Sequence, residues 1–527
     1  MPIRLHDIQL GVRFAARLPG FLRTRVGHED AVAMVRERLR SRAEDFLFLA
    51  RAAVYAFPEN PFRRLLALAG CEYGDLARLV RADGLEAGLA ALYRAGVYLR
   101  ADEFAGRTPV QRGSTVLQVQ PGLCRNPWSA QHLPAASGGA TPGEVILDLA
   151  GLRDLVCDYR LGYDAEGTAD AVKACWTVPG SGGIAYGLVV AAAFGTPPAR
   201  WFSQVDARQL DARYRLSADA VRWMGRLAGM DFPRLLPVTL DDPLPIAHWL
   251  ASVLHSGEVP LLATYPGAAV RLCQAAVDAG IDLAGAHFSL RGEPVTEGRV
   301  APLRRAGVRY SSLYGATECG VVGQACSAAI ATDEVHLHSD LHGMIQVPER
   351  EATAALPAGA LLLTSLRRTA RFVLLNVSMG DTAICEARRC DCPMEHYGFT
   401  THLHTIRSFE KLTGLGMTFA DAEIIPILEQ HLPRRYGGAS TDYQLEEREG
   451  ADGGAQLLLV IHPRVGPLDE SEVVNTFIDA IGLPSPTRRL MSLAWRNGNV
   501  VQVVRRPPVA TPSGKILHFR AARRHQP

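Results

Sequence analysis

Between residues 135 and 405, short apolar runs alternate with stretches of helical pattern, and this alternation constrains the fold more than any other feature. Strands that alternate with helices form a parallel or mixed sheet covered by helices on both faces, so the pattern predicts an α/β fold. In chain order it predicts strand 144–149, helix 183–193, strand 259–264, helix 268–279, strand 287–290, helix 297–306, strand 310–313 and strands 360–364 and 372–375.

The length and texture of the chain predict three parts. At 527 residues the chain exceeds what one hydrophobic core usually supports. Residues 1–105 have the 3.6-residue periodicity of helices and are expected to form a helical N-terminal extension. Residues 106–406 would form the large α/β domain. Residues 407–527 predict a small α+β domain, with helices at 420–431 and 470–481 and strands at 456–461 and 499–504.

Composition and charge exclude several classes of protein. The formal net charge is +2, so no basic surface of the kind that binds nucleic acid is expected. The longest apolar stretch, at 186–194, is too short to span a bilayer, and the arginine-rich start lacks the apolar region of a signal peptide. Ten cysteines in so long a chain favour reduced thiols or metal ligands. We therefore expect a cytoplasmic enzyme without a membrane span or a nucleic-acid partner.

Lys515 is a candidate catalytic residue because lysine is rare in this chain. Of the 56 basic residues only Lys173, Lys411 and Lys515 are lysines. Lys515 follows Pro512-Ser513-Gly514, which predicts a loop tip. An ammonium is a compact point charge, whereas a guanidinium is a broad planar fork. A site that needs a small cation beside a phosphate or carboxylate would keep a lysine here, although a surface-loop lysine is the simpler interpretation of this motif alone.

A loop of small residues at 136–143 precedes the strand predicted at 144–149. Small residues leave backbone amides free, and the hydroxyls of Ser137 and Thr141 add donors, as in loops that hold a polyphosphate. The loop lacks the Gly-Lys-Ser/Thr ending of a P-loop NTPase, so that class is excluded. By itself the motif is also typical of an ordinary loop.

The segment Tyr314-Gly315-Ala316-Thr317-Glu318 follows a predicted strand. A nucleotide site at the carboxyl end of a strand uses an aromatic ring to stack, a hydroxyl to hold phosphate and a carboxylate to bind Mg²⁺. Tyr314, Thr317 and Glu318 supply these groups. The alternative is an ordinary polar turn.

Gly380-Asp381 follows the strand predicted at 372–375. A carboxylate in this position suits the two hydroxyls of a ribose. Gly-Asp is also a common turn, so this motif indicates a nucleotide site only together with the others.

The order of the four motifs resembles that of the adenylate-forming superfamily, which contains acyl-CoA synthetases and peptide-synthetase adenylation domains. Within it, Arg291-Gly292-Glu293-Pro294-Val295 and the later Cys390-Asp391-Cys392 are similar to the phenylacetate–CoA ligase branch. The resemblance covers residues 135–520. It implies a large domain of mixed sheets flanked by helices and a small C-terminal domain that is mobile.

The resemblance also implies the reaction. A small carboxylic acid is activated with ATP and Mg²⁺ as an acyl adenylate, pyrophosphate is released, and the acyl group passes to a thiol, in the first place coenzyme A. Two alternatives stay open. The acceptor could be an amine, a hydrazine or a carrier-protein thiol, or the chain could be a degenerate member that binds nucleotide without turnover.

Family roles carry over to individual positions of this sequence. The catalytic residues implied are Lys515, which would bridge the substrate carboxylate and the α-phosphate, Thr317 on the phosphate and Glu318 on Mg²⁺. Implied to contact the nucleotide or coenzyme A are Ser137, Gly138 and Thr141 (phosphate loop), Gly292, Glu293 and Pro294 (adenine border), Tyr314 and Gly315 (nucleotide), Asp381 (ribose), Arg407 (domain junction) and Gly416 (pantetheine tunnel). Glu410 matches the hinge about which the small domain rotates.

Cys326, His336, Cys390 and Cys392 are candidate zinc ligands. Cys-x-Cys is a tight thiolate pair, and a Cys/His pair would complete a tetrahedral site, although ordinary buried cysteines explain the pattern equally well. Members of the phenylacetate–CoA ligase branch hold a structural zinc in this region, which favours His336 over His338 and His342. Cys319 and Cys385 are reserve ligands.

The sequence departs from the family at two places. Gly139, Ala140 and Pro142 replace hydroxyls and a lysine of the phosphate loop, while Asn376 and Ser378 stand where relatives carry arginines. Both changes remove positive charge from the expected ATP site. Candidate walls of the acid pocket lie at 176–186, 201–203 and 289–291, and the same residues could instead belong to the core.

Overall fold

The structure, a computed structural model, describes residues 5–129, 133–136, 144–147, 149–177, 183–204, 219, 222–223, 225–316, 318–353, 355–409, 412–414, 417–419, 421–449, 455–482, 500–511 and 514–520. Its strands are β1 (Val110–Arg112), β2 (Thr115–Leu117), β3 (Leu133–Ala136), β4 (Glu144–Leu147), β5 (Val172–Thr177), β6 (Arg200–Ser203), β7 (Leu235–Pro237), β8 (Pro260–Thr264), β9 (His287–Arg291), β10 (Arg309–Ala316), β11 (Gly320–Ala325), β12 (Val335–Leu337), β13 (His342–Gln346), β14 (Ala360–Ser365), β15 (Val377–Ala387), β16 (Thr401–Ser408), β17 (Leu412–Gly414), β18 (Met417–Phe419), β19 (Tyr443–Glu449), β20 (Ala455–Ile461), β21 (Val501–Arg505) and β22 (Phe519–Arg520).

The helices surround these strands. In chain order they are α1 (Leu5–Arg23), α2 (His28–Leu49), α3 (Pro61–Leu68), α4 (Tyr73–Asp83), α5 (Leu85–Arg94), α6 (Ala101–Phe104), α7 (Leu149–Ala165), α8 (Gly183–Ala193), α9 (Leu244–His255), α10 (Pro266–Asp278), α11 (Glu297–Arg305), α12 (Pro393–Tyr397), α13 (Asp421–Pro426), α14 (Leu432–Tyr436) and α15 (Glu470–Gly482). Short π-helical segments, Ala50–Tyr55 and Ile427–His431, continue α2 and α13.

One mixed sheet of twelve strands dominates the described part of the chain, in the order β13-β14-β15-β16-β12-β11-β10-β9-β8-β5-β6-β7. The strands from β10 to β7 run parallel, and those from β10 to β13 pair antiparallel. The parallel strands are covered on both faces, so β8 reads as an unbroken apolar run. The predicted α/β class is confirmed.

Two helical layers cover the parallel half. Phe288 and Leu290 of β9 pack with α9, α10 and α11, whereas Cys175 of β5 packs with α7 and α8. Proline at the first position of α10 fits its start, because that position needs no amide donor. Similarly, Asn60 caps α3 by accepting a hydrogen bond from the Phe62 amide at 2.9 Å.

The C-terminal region builds a second, smaller sheet in the order β21-β20-β19-β22. It packs against α15 and the helical segment 421–436 around a core that includes Tyr443, Leu459 and Phe477. This is the α+β arrangement predicted for residues 407–527.

Helices α1 to α6 confirm the helical prediction for residues 1–105. They share cores with the rest of the protein: Leu18 and Val35 pack with residues of α7 and α8, and Leu89 packs with residues of β14. The extension is therefore part of the large α/β body in its packing. The division at 105 and the boundary at 406 stay predictions.

The strand predicted at 372–375 is wrong. Phe372 makes only an isolated bridge to Arg125, and the strand of this region is β15, which contains Gly380 and Asp381. Residues 372–375 are each buried, with exposed fractions of 8%, 2%, 1% and 2%. Their apolar character serves the core rather than a strand ladder.

No helix in the described residues is both long and apolar enough to cross a membrane.

Arg38 of α2 fixes the helical extension to the body through three carboxylates. Its guanidinium lies 2.9 Å from Asp158, 2.8 Å from Asp340 and 3.3 Å from Asp154, and it is almost fully buried. Burial raises the pKa of the Asp158 carboxyl, the effect of the neighbouring acids adds to this, and Arg38 opposes both. The cluster therefore depends on one cation.

We predict that Arg38→Met lowers the free energy of unfolding by about 3–5 kcal/mol, because it leaves buried carboxylates without their cation. Urea unfolding followed by fluorescence measures the change. Arg40→Met is the matched control, since Arg40 is exposed and pairs only with Glu37 among the described residues. Equal effects of the two substitutions would contradict the assigned anchoring role.

Candidate functional site

Two of the predicted site residues, Gly292 and Glu318, follow the carboxyl ends of neighbouring parallel strands. Strands β8, β9 and β10 are parallel neighbours, and they are followed by Tyr265, Gly292 and Glu318, respectively. Since the ends of parallel strands meet at one edge of a sheet, loops that follow them form one site. Gly292 has φ +78°, a conformation that L side chains rarely adopt, and a Cβ there would lie 3.2 Å from the Tyr265 ring.

Lys515 enters this edge from the C-terminal region. A Cβ placed on Gly292 would lie 3.2 Å from the Lys515 Cε, so the lysine stem crosses directly over this glycine. The loop that carries it is closed by the Thr511 amide donating to the Lys515 carbonyl at 2.7 Å. The Lys515 amide donates to the Thr511 hydroxyl at 3.0 Å. Gly514 turns the chain with φ +83°.

Glu293 fixes the Lys515 loop to the large sheet. One oxygen of its carboxylate accepts from the Ile516 amide at 2.6 Å, and the other accepts from the Gly267 amide at 2.8 Å. Arg299 donates to the same carboxylate at 2.5 Å and to the Ile516 carbonyl at 2.8 Å. Glu293 was predicted to border the adenine. That role stays a prediction, and in this structure the carboxylate holds the residue after Lys515.

A second carboxylate completes a buried network at this junction. Glu429, in the segment Ile427–His431, lies 2.8 Å from Arg299 and 2.5 Å from His518. Thr296 also donates to Glu429. Burial alone would raise the pKa of the Glu429 carboxyl, but His518, Arg299 and Thr296 together lower it below its ordinary value. The sequence analysis did not select these residues, because their partners are 130 and 89 residues apart in the chain.

Three carboxylates interact with the Lys515 ammonium. Burial lowers the pKa of the Lys515 ammonium, and the nearby carboxylates of Glu293, Asp381 and Glu318 oppose this shift. Burial raises the pKa of the Glu318 carboxyl, with Arg371 and Lys515 acting in the opposite direction. Lys515 and Glu318 are thus close enough to interact, although 197 positions separate them in the sequence.

Tyr314 and Asp381 are brought together, as both were expected at the nucleotide. The Tyr314 hydroxyl donates to the Asp381 carboxylate at 2.9 Å. Burial and the Asp381 charge raise the pKa of the Tyr314 phenol well above its ordinary value. Gly315 lies at a shift in register between β10 and β11, where a Cβ would be 2.3 Å from the Gly320 carbonyl oxygen. Only glycine fits that position.

Arg371 restores positive charge near the site. Asn376 and Ser378, which replace arginines of the family pattern, have structural partners: the Asn376 amide donates to the Leu89 carbonyl at 2.8 Å, and Ser378 accepts from the Gly380 amide at 3.1 Å. Arg371 is an electrostatic neighbour of Glu318 and was not identified from the sequence. Its position just before a buried apolar run gave no pattern that would have revealed it.

Other predicted site residues lie elsewhere or outside the described residues. Arg407 donates to Asp333 at 2.7 Å, beside a cleft of about 550 Å³ that is also lined by Thr296 and Gln430. Its role toward the nucleotide stays a prediction, as does that of Pro294. The residues outside the described part are Ser137, Gly138, Thr141, Thr317, Glu410 and Gly416.

The four predicted zinc ligands form one cluster. The ligand atoms of Cys326, His336, Cys390 and Cys392 all lie within 4.8 Å of one another. His336 Nε2 is 3.1 Å from the Cys392 Sγ, which in turn is 3.9 Å from the Cys326 Sγ. Three sulfurs and one imidazole nitrogen are a donor set that suits tetrahedral Zn²⁺. Hydrogen bonds from Cys326 and then His336 lower the pKa of the Cys392 thiol.

Neighbouring residues support the cluster and separate it from the reserve ligands. The Glu395 carboxylate accepts from the Cys390 amide at 2.8 Å and from the Asp391 amide at 2.7 Å, which fixes the Cys-x-Cys turn. The alternative His342 instead bonds the Val321 carbonyl at 2.9 Å. Cys319, Cys385 and His338 are also outside the four-residue cluster.

No family model and no curated protein matches the chain. Among solved structures, the chain is similar to a 2-hydroxyisobutyryl-CoA ligase in complex with 2-HIB-AMP and CoA. The two share 14% identity at a TM-score of 0.44, over 92% of this chain and 90% of that one. An amide bond synthetase, McbA from Marinactinospora thermotolerans, shares 14% identity at a TM-score of 0.40, over 91% and 92%. The anthranilate CoA ligase AuaEII, with anthranoyl-AMP, shares 12% identity at 0.44, over 78% and 68%.

These similarities all have TM-scores below 0.5 and carry no argument for a superfamily, so the adenylate-forming resemblance of the motif order stays a prediction. They do not single out its phenylacetate–CoA ligase branch. With every TM-score here below 0.5, the function rests on the residues of the chain itself.

We predict that the purified protein contains about one zinc ion per chain, because its donor set is that of a structural site. Cys392→Ser is expected to lose the metal and to lower the melting temperature. Mass spectrometry of the metal content measures the first effect, and thermal unfolding the second. Cys385→Ser is the control, since Cys385 lies outside the cluster. Zinc retained by Cys392→Ser, or absent from the wild type, would disprove the site.

Proposed function

We propose that the protein activates a small carboxylic acid with ATP as an acyl adenylate and then transfers the acyl group to a thiol, most simply coenzyme A. The observation that carries this proposal is the position of the Lys515 side chain. A lysine from the C-terminal region lies over Gly292, interacts with Glu318 and Asp381, and is held there by Glu293. Four separate segments of the sequence, those of Glu293, Glu318, Asp381 and Lys515, therefore supply one small set of charges.

The first half-reaction joins two anions, so positioning and neutralisation of charge dominate its catalysis. An oxygen of the substrate carboxylate attacks the α-phosphorus of ATP, and the bond from that phosphorus to the pyrophosphate oxygen breaks. The Lys515 ammonium would stand between the carboxylate and the α-phosphate. Its enclosure strengthens this interaction, because charges attract more strongly away from water. Glu318 would hold Mg²⁺, which supplies further positive charge to the phosphates.

The second half-reaction does not require a cation between two anionic reactants. The thiol sulfur attacks the acyl carbonyl, its proton passes to solvent, and AMP leaves with the electrons of the broken carbon–oxygen bond. Lys515 has no part in these steps. Rotation of the small domain about Glu410 would withdraw it and bring the loop with Gly416 to the thiol channel, as a domain that completes different sites in turn does.

A pyrophosphate-exchange screen over a panel of carboxylic acids tests the proposal. We expect at least one acid to support exchange in the presence of ATP and Mg²⁺, with product formation that requires coenzyme A. If product forms with an amine, a hydrazine or a carrier-protein thiol in place of coenzyme A, the proposed adenylation is supported and the proposed acceptor is replaced. Absence of exchange across the panel, with nucleotide binding retained, would favour a degenerate member.

We predict that Lys515→Ala lowers adenylation by at least about 10²–10³-fold, the usual cost of removing one stabilising group from a transition state. Thioester formation from a chemically prepared acyl adenylate is expected to stay near the wild-type rate. Single-turnover assays of the two half-reactions measure both effects. Lys515→Arg should share the defect, because the stem passes too close to Gly292 for a broad guanidinium.

Arg506→Ala is the control variant, since Arg506 lies in the same C-terminal segment and pairs with Glu446. It should change neither half-reaction. Equal loss of both half-reactions in Lys515→Ala would refute the assigned role.

A further inference from the structure

Arg291 is a deeply enclosed cation that has no acidic partner among the described residues. It ends β9, one position before the glycine that Lys515 crosses. Its Nε atom is buried and makes no hydrogen bond within the described structure. The groups that interact electrostatically with its guanidinium are Tyr159, Tyr163, Cys175 and Tyr265, none of which is a carboxylate.

The other buried arginines of the described chain each have at least one carboxylate partner. Arg38 has three carboxylate partners and Arg299 has two, while Arg271 lies 3.2 Å from Asp241. A charge removed from water without a counterion is strongly unfavourable. Arg291 is partly accessible and has no such carboxylate among the described residues, so an anion that binds there would gain from its unmet charge.

The direction of the side chain indicates where that anion would lie. Successive residues of a strand point to opposite faces. Phe288 and Leu290 pack on the face of α9, α10 and α11, so Arg291 points to the other face, where Tyr159 and Tyr163 of α7 lie. Despite its enclosure, Arg291 retains some accessible surface. This accessible surface leaves Arg291 open to a ligand on the α7 face of β9.

Two cations thus stand at the same strand end. Lys515 lies over Gly292, where the reacting carboxylate is expected, and Arg291 is the preceding residue, directed among aromatic side chains. Consecutive Cα atoms are about 3.8 Å apart, so both cations approach the same point of the backbone, and a molecule that contacts both must carry two separated anionic groups. Trp176, Trp201 and Phe202, which were candidate walls, are instead core residues with exposed fractions of 0%, 3% and 3%. Among the candidate wall residues that the structure describes, Arg291 is the charged one.

We propose that Arg291 selects acids that carry a second carboxylate, which its guanidinium binds while the first is adenylated. This inference rests on the proposed adenylation of a carboxylic acid and names the substrate class. A planar guanidinium binds a carboxylate through two parallel hydrogen bonds, which adds geometric selectivity to charge. The surrounding tyrosines suit an unsaturated or aromatic body between the two carboxylates.

Matched pairs of acids test the proposal: benzoate with terephthalate, phenylacetate with 4-carboxyphenylacetate, and hexanoate with adipate. Wild-type protein is expected to prefer the diacid in at least one pair. Arg291→Gln removes the charge and keeps much of the side-chain length. It should lower kcat/KM for the preferred diacid about 10- to 100-fold, the value of a charged hydrogen bond, and leave the monoacid within about threefold.

Arg305→Gln is the matched control, because Arg305 is an exposed residue at the end of α11. Thermal unfolding of both variants verifies that they fold. A loss that is equal for monoacids and diacids would overturn the proposal, since Arg291 would then serve the reacting carboxylate. A wild-type preference for monoacids would overturn it as well.

Equilibrium binding of each pair, measured by calorimetry, separates this inference from the proposed function. Diacid binding that Arg291→Gln abolishes, without adenylation of any acid, would support the binding site and refute the acid-activating reaction. If monoacids are adenylated and Arg291→Gln leaves the ratio of diacid activity to monoacid activity unchanged, the reaction is supported and the selectivity is refuted. Failure of every diacid to bind the wild type would refute the inference.

Discussion

The carboxylate of Glu293 is the interaction on which the candidate site depends. It joins three parts of the protein: the start of α10 through the Gly267 amide, the side chain of Arg299 on α11, and the Ile516 amide of the C-terminal region. Hydrogen bonds in which one partner is charged are among the strongest in proteins. Together with Arg299, which donates to the Ile516 carbonyl, this carboxylate holds the backbone next to Lys515 at the end of β9.

The mixed sheet provides the frame for that contact. Its parallel half brings the ends of β8, β9 and β10 together, and its antiparallel half carries Asp381 of β15 toward the same region. The helical extension also supports this frame. The side-chain amide of Asn376, just before β15, donates hydrogen bonds to the carbonyl oxygens of Leu89 and Val97. The extension therefore supports the strand that bears the predicted ribose ligand.

Much of the fold could be predicted from the sequence. The strand predicted at 259–264 agrees with β8, and the helix predicted at 183–193 agrees with α8, because long apolar runs bounded by Gly or Pro have few other solutions. The run at 372–375 was assigned as a strand because burial and strand formation give the same apolar pattern. Strands β5 and β6, with Trp176 and Trp201, were instead interpreted as pocket walls.

Local motifs also indicated the charged groups of the site, since Lys515, Glu318 and Asp381 each follow a predicted turn or strand, although Asp381 lies within β15 in the structure. The residues that hold these charged groups in place could not be found in the same way. Arg299, Glu429 and His518 bond to residues more than 80 positions away, and no pattern in one sequence relates such positions. Arg291 was visible in a motif, but its lack of a counterion exists only in three dimensions.

The junction network has a consequence for any separation of the two regions. Glu293 and Arg299 both belong to the large sheet and its helices, whereas Glu429 and His518 both belong to the C-terminal region. Separation of the two regions would break the contact between Arg299 and Glu429. Each newly exposed face would still keep one acid beside one base. Each carboxylate would therefore keep one hydrogen-bond partner from its own region when the two regions part.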